Sequence, residues 1–271
     1  MRIQIDRAKT EERKRQLKEM YDRYYQGEKC ICCYFHECST DKAKGYNSSH
    51  AVKVGKNYDL FIDGKPIRIL FMGKESPADK RKDEVEETEK LADCLLDNGS
   101  VNPHYLKTYM MLCDMLNYTP PSARPYRNRE DAVLSFFSLT NRYRCAIKEK
   151  GQRSGVKNTS KQYEHCLKIL QEEIRIMEPT ILVLQHKHTK ADKIFDDIQL
   201  VQDFGDEKIF RSPKYDCYVI ETVHPCIRDG SWPKHCSNLQ KIVNRLKQEK
   251  ALPTKDCDIT DELNRIAREQ A

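Results

Sequence analysis

The stretch Thr180-Ile-Leu-Val-Leu184 follows directly on an amphipathic run that closes at Glu178-Pro179. A strand that is apolar on both faces cannot border water, so it belongs inside a parallel sheet covered by helices on both sides. The preceding run starts at Thr159 or Ser160, either of which can cap a helix N-terminus. Its apolar residues Tyr163, Leu167, Leu170, Ile174 and Met177 recur every three or four positions, the stripe of one helix face. A central strand fed by a helix is half of a strand–helix–strand unit, and three further apolar stretches extend the pattern.

Pro66 to Gly73 reads as a first strand, Ala132 to Leu139 as a second and Tyr215 to Val223 as a fourth. Residues 7–26, 102–116 and 237–248 read as helices, and the last twenty residues can hold one more. Residues 39–57 and the proline-broken Thr119 to Pro125 read as loops, and the charged residues 79–90 as an exposed loop or helix start. Alternating strands and helices predict an α/β fold, a three-layer sandwich with a central, mostly parallel four-stranded sheet flanked by helices. The expected organisation is a charged helical extension over 1–29, a domain over 30–250 and a helical tail over 251–271. A length of 271 residues is enough for such a core.

Charge is informative by position. The formal net charge is +6, and residues 142–161 carry Arg142, Arg144, Lys148, Lys150, Arg153, Lys157 and Lys161 against the single acid Glu149. That one segment therefore equals the whole excess, and it reads either as a phosphate-contacting loop or as a merely solvated one. No apolar run is long enough to cross a membrane. The first twenty residues contain no apolar signal segment, so a cytoplasmic location is expected.

Twelve cysteines is a high count, and Cys30, Cys32, Cys33 and Cys38 crowd together. In a reducing compartment such density points to metal or iron–sulfur ligation rather than to disulfides.

Three of the four strands end in polar motifs. Ile69-Leu-Phe-Met-Gly-Lys-Glu-Ser-Pro-Ala78 ends the first, Ser138-Leu-Thr-Asn-Arg-Tyr-Arg-Cys145 the second and Thr222-Val-His-Pro225 the fourth. Together with Cys30-x-x-Cys33 and with Cys166 in the helix after the basic loop, this ordered set resembles the uracil-DNA glycosylase superfamily, closest to its iron–sulfur branch. The likeness spans roughly residues 30–245 and is most specific over 138–185. The first motif departs from the family: either Lys74 and Ala78 replace two family glycines, aligned on Glu75-Ser76-Pro77, or Gly73 matches and Lys74 is an insertion, and both leave the released base open.

The resemblance implies a monofunctional DNA glycosylase that extrudes an aberrant or modified base and hydrolyses its N-glycosidic bond, leaving an abasic site. Uracil is the default substrate, and the altered motif admits a bulkier pyrimidine such as a hypermodified phage cytosine, in an anti-phage role. Glu75 is expected to orient the attacking water, His224 to stabilise the departing anionic base, and Asn141 to read the base edge. Gly73, Lys74, Ser76 and Pro77 would frame the base, and Tyr105 or Tyr58 would stack on it. Arg142, Arg144 and Arg153 would hold phosphates. Arg228, Ile227 or Trp232, in the loop after His224-Pro225, would fill the gap left in the duplex.

The resemblance also makes Cys30, Cys33, Cys145 and Cys166 the ligands of a structural 4Fe–4S cluster, with Cys32 or Cys38 able to replace one of the first pair. Zinc on four thiolates is the alternative. DNA is the implied partner, with neither a membrane nor an obligate protein partner. The competing reading is a non-catalytic DNA-binding module that keeps the fold and the cluster.

Overall fold

The computed structural model describes residues 1–26, 31–38, 45–47, 51–73, 96–97, 100–101, 103–119, 132–143, 146–148, 160–186, 189–224, 232–254 and 259–269. Over these residues the chain is α/β, with five helices packed about a mixed seven-stranded sheet. The strands are β1 (Lys53–Val54), β2 (Ile69–Gly73), β3 (Phe137–Asn141), β4 (Ile181–Leu184), β5 (Gln199–Asp203), β6 (Lys208–Ser212) and β7 (Cys217–Glu221). Their order is β5-β6-β7-β4-β2-β3-β1. Neighbours β7, β4, β2 and β3 are parallel. On one flank β1 pairs antiparallel with β3, and on the other β6 pairs antiparallel with both β7 and β5.

The expected four-stranded sheet is therefore corrected to a mixed one of seven. The three flanking strands lack the buried signature. β5 reads Gln-Leu-Val-Gln-Asp and is largely exposed, as an edge strand can be. β1 has only two residues, too few for a period to show. Strand boundaries also move. Ala132–Ser135 forms a single 3₁₀ turn, so the second expected strand starts at Phe137. Pro66 belongs to the separate hairpin Leu60–Ile62 and Lys65–Ile67, joined by Ile3–Ile5, so the first starts at Ile69.

The helices are α1 (Arg7–Tyr24), α2 (Pro103–Leu116), α3 (Ser160–Met177), α4 (Trp232–Gln248) and α5 (Thr260–Arg268). Strand alternation divides the core in two. Ile69, Phe71, Ile181 and Val183 face one side, where Leu112 of α2, Ile242 of α4 and Leu263 of α5 meet them. Leu70, Met72, Leu182 and Leu184 face the other, where Leu17 of α1 and Ile174 of α3 meet them.

The highly charged α1 is held in place by more than its apolar stripe. Asp6 caps it, accepting from the Lys9 N–H at 2.9 Å. Arg13, 4% exposed, forks onto the fully buried Asp59 at 3.0 Å and reaches Glu178 at 2.8 Å. The N-terminal and the C-terminal helices thus both bury side chains in the cores shared with the sheet.

Candidate active site

The four parallel strands finish along one edge. Asn141 pairs with Gly73, and Leu184 pairs with both Met72 and Glu221. The ladder continues one step further. The Arg142 N–H donates to the Gly73 carbonyl (2.9 Å), Gln185 to Met72 (2.9 Å) and Thr222 to Leu184 (3.0 Å). Gly73, Asn141, Gln185 and Thr222 therefore stand in one row, with His186 and His224 just beyond it. The chain passes from β2 to β3 on one side, then crosses to β4 on the other. A reversal of that kind opens a crevice at the carboxyl ends, where ligands bind in open α/β sheets.

Side chains in the row take sides by alternation. Thr140 donates to Glu173 of α3 at 2.9 Å, so its neighbour Asn141 lies on the opposite face, that of α2. Gln185 lies on the same face, where its Nε2 donates to Thr108 Oγ1 of α2 at 2.8 Å. Tyr105 belongs to the first turn of α2, one turn before Thr108. Trp232, expected in the loop after His224-Pro225, is instead the first residue of α4. A helix start replaces loop there because the apolar period of that segment extends back to Trp232.

His224, three residues beyond the end of β7, is half-buried, its ring edge-to-face with that of His186 at a centroid distance of 6.3 Å and 87°. Beside them a cavity of about 280 Å³ is lined by His186, Lys190, Asp206, Lys208, Glu221 and Thr222. The buried Glu221 accepts from Lys190 Nζ at 2.9 Å and from the Ala191 N–H at 2.8 Å. Arg142 is held rather than free to sweep through solvent. Its guanidinium carbon lies 3.9 Å from the Tyr163 ring centroid, and Nη1 donates to Thr189 Oγ1 at 3.3 Å.

The expected site residues divide accordingly. Gly73, Asn141 and His224 share the edge, with Arg142 beside them and the backbones of Tyr105 and Trp232 on helices of the same face. Lys74, Glu75, Ser76, Pro77, Arg144, Arg153, Ile227 and Arg228 lie outside the described residues. Tyr58 is corrected: it is fully buried in the core with α1 and α3, so it cannot stack on a base. Gln185, His186, Thr222 and Glu173 were not anticipated. The signal for the first two was available, since Gln185-His186 follows the central strand without a break. Glu173 carried none, because helical periodicity counts a carboxylate as surface.

Of the cysteines, Cys32, Cys38 and Cys166 are buried and Cys33 is exposed. Burial pushes the Cys32 thiol up to about 12 and the Cys38 thiol up to about 11, and nearby Cys33 and Cys166 add to both. These thiols share one neighbourhood. The helical turn Phe35–Cys38 packs on α3, Tyr34 stacks on His165 at 4.0 Å, and Glu37 lies 3.1 Å from His165 Nε2. A second link joins Gly45–Asn47 to Ala146–Lys148 in an antiparallel pair. Of the expected ligands, Cys33 and Cys166 thus come near each other, together with the substitutes Cys32 and Cys38. Cys30 and Cys145 lie outside the described residues. Among the described residues no group of three or more His, Cys, Asp or Glu is arranged to hold a metal ion. No helix among them is long and apolar enough to cross a membrane. No protein-family model matches the chain, and no curated protein matches it.

Proposed function

We propose that this chain is a DNA glycosylase that extrudes a uracil or modified pyrimidine and hydrolyses its N-glycosidic bond, leaving an abasic site. The observation that carries the reading is the alignment of Gly73, Asn141 and His224 on one carboxyl edge, beside the reversal of strand order. We read β7, β4, β2 and β3 as the catalytic scaffold, a mostly parallel four-stranded centre within the wider sheet.

In this reading Glu75, two residues beyond Gly73, orients the water and offsets the positive charge that develops on the sugar. His224 donates to the base as it leaves with the bonding electrons, and a donor aimed at developing negative charge lowers the barrier. Asn141 reads the base edge, and Arg142, Arg144 and Arg153 hold the phosphates. Cys30, Cys33, Cys145 and Cys166 would hold a 4Fe–4S cluster, or zinc, with Cys32 or Cys38 as a substitute. The shared neighbourhood of Cys32, Cys33, Cys38 and Cys166 supports that placement. Such a cluster would pin the N-terminal segment to the basic loop and supply no chemistry to the base.

The test is mass spectrometry of bases released from duplexes holding uracil or hypermodified phage cytosines, with wild type, Glu75→Ala and His224→Ala. Release by wild type that drops at least a hundredfold in either variant is expected. No release from any duplex, or equal release by all three proteins, overturns the reading. Release from uracil DNA alone removes the anti-phage substrate.

A further inference from the structure

Two polar atoms at the carboxyl edge are buried and have no hydrogen-bond partner among the described residues: Gln185 Oε1 and Thr222 Oγ1. Gln185 is 2% exposed and Thr222 is 4% exposed. They extend neighbouring strands one step past the Leu184–Glu221 pair, so they stand side by side. Alternation turns both toward the α2 face, shared with Asn141. The Gln185 amide is oriented, because its Nε2 is engaged with Thr108 Oγ1 at 2.8 Å. Its free atom is therefore an acceptor, set next to a hydroxyl that can donate or accept.

A buried polar group without a partner is destabilising, so native proteins rarely carry one. Two adjacent ones at the crevice, on the face of Asn141 and next to His224, point to a ligand rather than to packing. We propose that Gln185 and Thr222 are specificity-determining residues that bond the edge of the extruded base. An acceptor beside a hydroxyl matches a pyrimidine edge, where a donor, the N3–H of uracil or the exocyclic amine of cytosine, adjoins an acceptor. The proposal rests on the glycosylase reading. It adds two base-contacting positions to that reading.

The experiment compares wild type, Gln185→Met and Thr222→Val on three duplexes. Two carry one 2′-fluoro-deoxyuridine or one 2′-fluoro-deoxycytidine, each resistant to hydrolysis, and the third carries a tetrahydrofuran abasic analogue. Wild type is expected to bind at least one base-bearing duplex more tightly than the abasic one. Each variant should lose about tenfold on that duplex, the worth of one hydrogen bond, and nothing on the abasic one. Thr222→Val should also leave the unfolding temperature unchanged or raise it, because it removes an unpaired hydroxyl and no side-chain bond. A merely structural role predicts the opposite: a lower unfolding temperature and equal losses on all duplexes. If Gln185→Met fails to fold, a selective loss in Thr222→Val upholds the proposal and an unselective one overturns it. Wild type that does not favour a base-bearing duplex overturns this inference, while base release remains the separate test of the glycosylase reading. Base-selective wild type with equally selective variants overturns this inference alone.

Discussion

Thr140 donates its hydroxyl to Glu173 at 2.9 Å, inside the interface between β3 and α3. Glu173 is fully buried, and its other oxygen accepts from the Tyr21 hydroxyl of α1. Tyr21 in turn accepts from the Val52 N–H at 2.9 Å, just before β1. One carboxylate thus ties two helices and the edge of the sheet to the strand end that presents Asn141.

Glu173→Ala should lower stability by about 2–4 kcal/mol, because it leaves two buried hydroxyls without their acceptor and opens a cavity. Glu173→Gln keeps one carbonyl acceptor and should cost less. Urea unfolding of both variants checks this, and a loss below about 1 kcal/mol in Glu173→Ala would refute a central role for the carboxylate.

That residue also marks the limit of what sequence patterns reveal. The extent of α3 was legible, from an N-cap candidate to a terminating proline. Its buried face was only partly so: Leu170, Ile174 and Met177 are buried as the period predicts, but so are Gln162, Cys166 and Glu173. Polar residues enter a core when partners such as Tyr21 and Thr140 await them, and those partners lie more than thirty residues away in sequence. The strand ends behaved similarly. Asn141 and His224 were legible from motifs, whereas Gln185 and Thr222 become candidates only through strand register and missing partners. The β5–β6 hairpin escaped because an edge strand needs no apolar face.

Arg13→Met should cost about 3 kcal/mol, the lower end of the range for breaking a buried ion pair. The low end applies because Arg68 Nη1 stays 3.8 Å from Asp59, which keeps part of the compensation. Pairing it with Asp59→Asn should recover much of the loss, since no buried charge is then left. Thermal unfolding of the two single variants and the double variant measures the coupling. Additive losses would mean that the pair is not the anchor of α1.

Glu178 gives stability an acid limb. Burial pushes its carboxyl up, but the bond from Arg13 and the charges of Arg13, Lys9 and Arg68 outweigh that, and the net shift is down. The unfolded chain therefore takes up this proton first as pH falls. The contribution is whole above the ordinary glutamate value, about pH 4.3, and is lost as pH drops through the lower folded value. Glu178→Gln should flatten the decline in unfolding free energy below about pH 4.3 while changing its slope little at pH 7. An unchanged acid limb would assign that decline to other carboxylates.

Arg142 tests whether the edge meets DNA. Stacked on Tyr163 and bonded to Thr189, its guanidinium is positioned before any ligand arrives. If it contacts a phosphate, Arg142→Ala should weaken binding to all duplexes alike and reduce the slope of log affinity against log salt by about one. Tyr163→Leu should weaken binding less and leave that slope intact, because it removes the stack and not the charge. Equal affinity across all three proteins at low salt would remove Arg142 from the interface.

The cysteine neighbourhood makes a separate prediction, readable without any DNA. Raised thiols at Cys32 and Cys38 resist ionisation while no cation is near, whereas a bound metal draws the proton off and favours thiolate. Anaerobically purified wild type should therefore be brown, with broad absorbance near roughly 400 nm that bleaches on oxidation, and should carry about four irons per chain. Cys166→Ser and Cys33→Ser should each lose the colour and most of the iron. Comparing Cys30→Ser with Cys38→Ser then decides which thiol completes the N-terminal pair, since only a ligand's loss should empty the site. A colourless protein with one zinc, lost in the same variants, would replace the cluster by a tetrathiolate zinc site. A metal-free protein that unfolds at the same temperature with or without chelator would leave the buried cysteines as packing groups and remove the cofactor altogether.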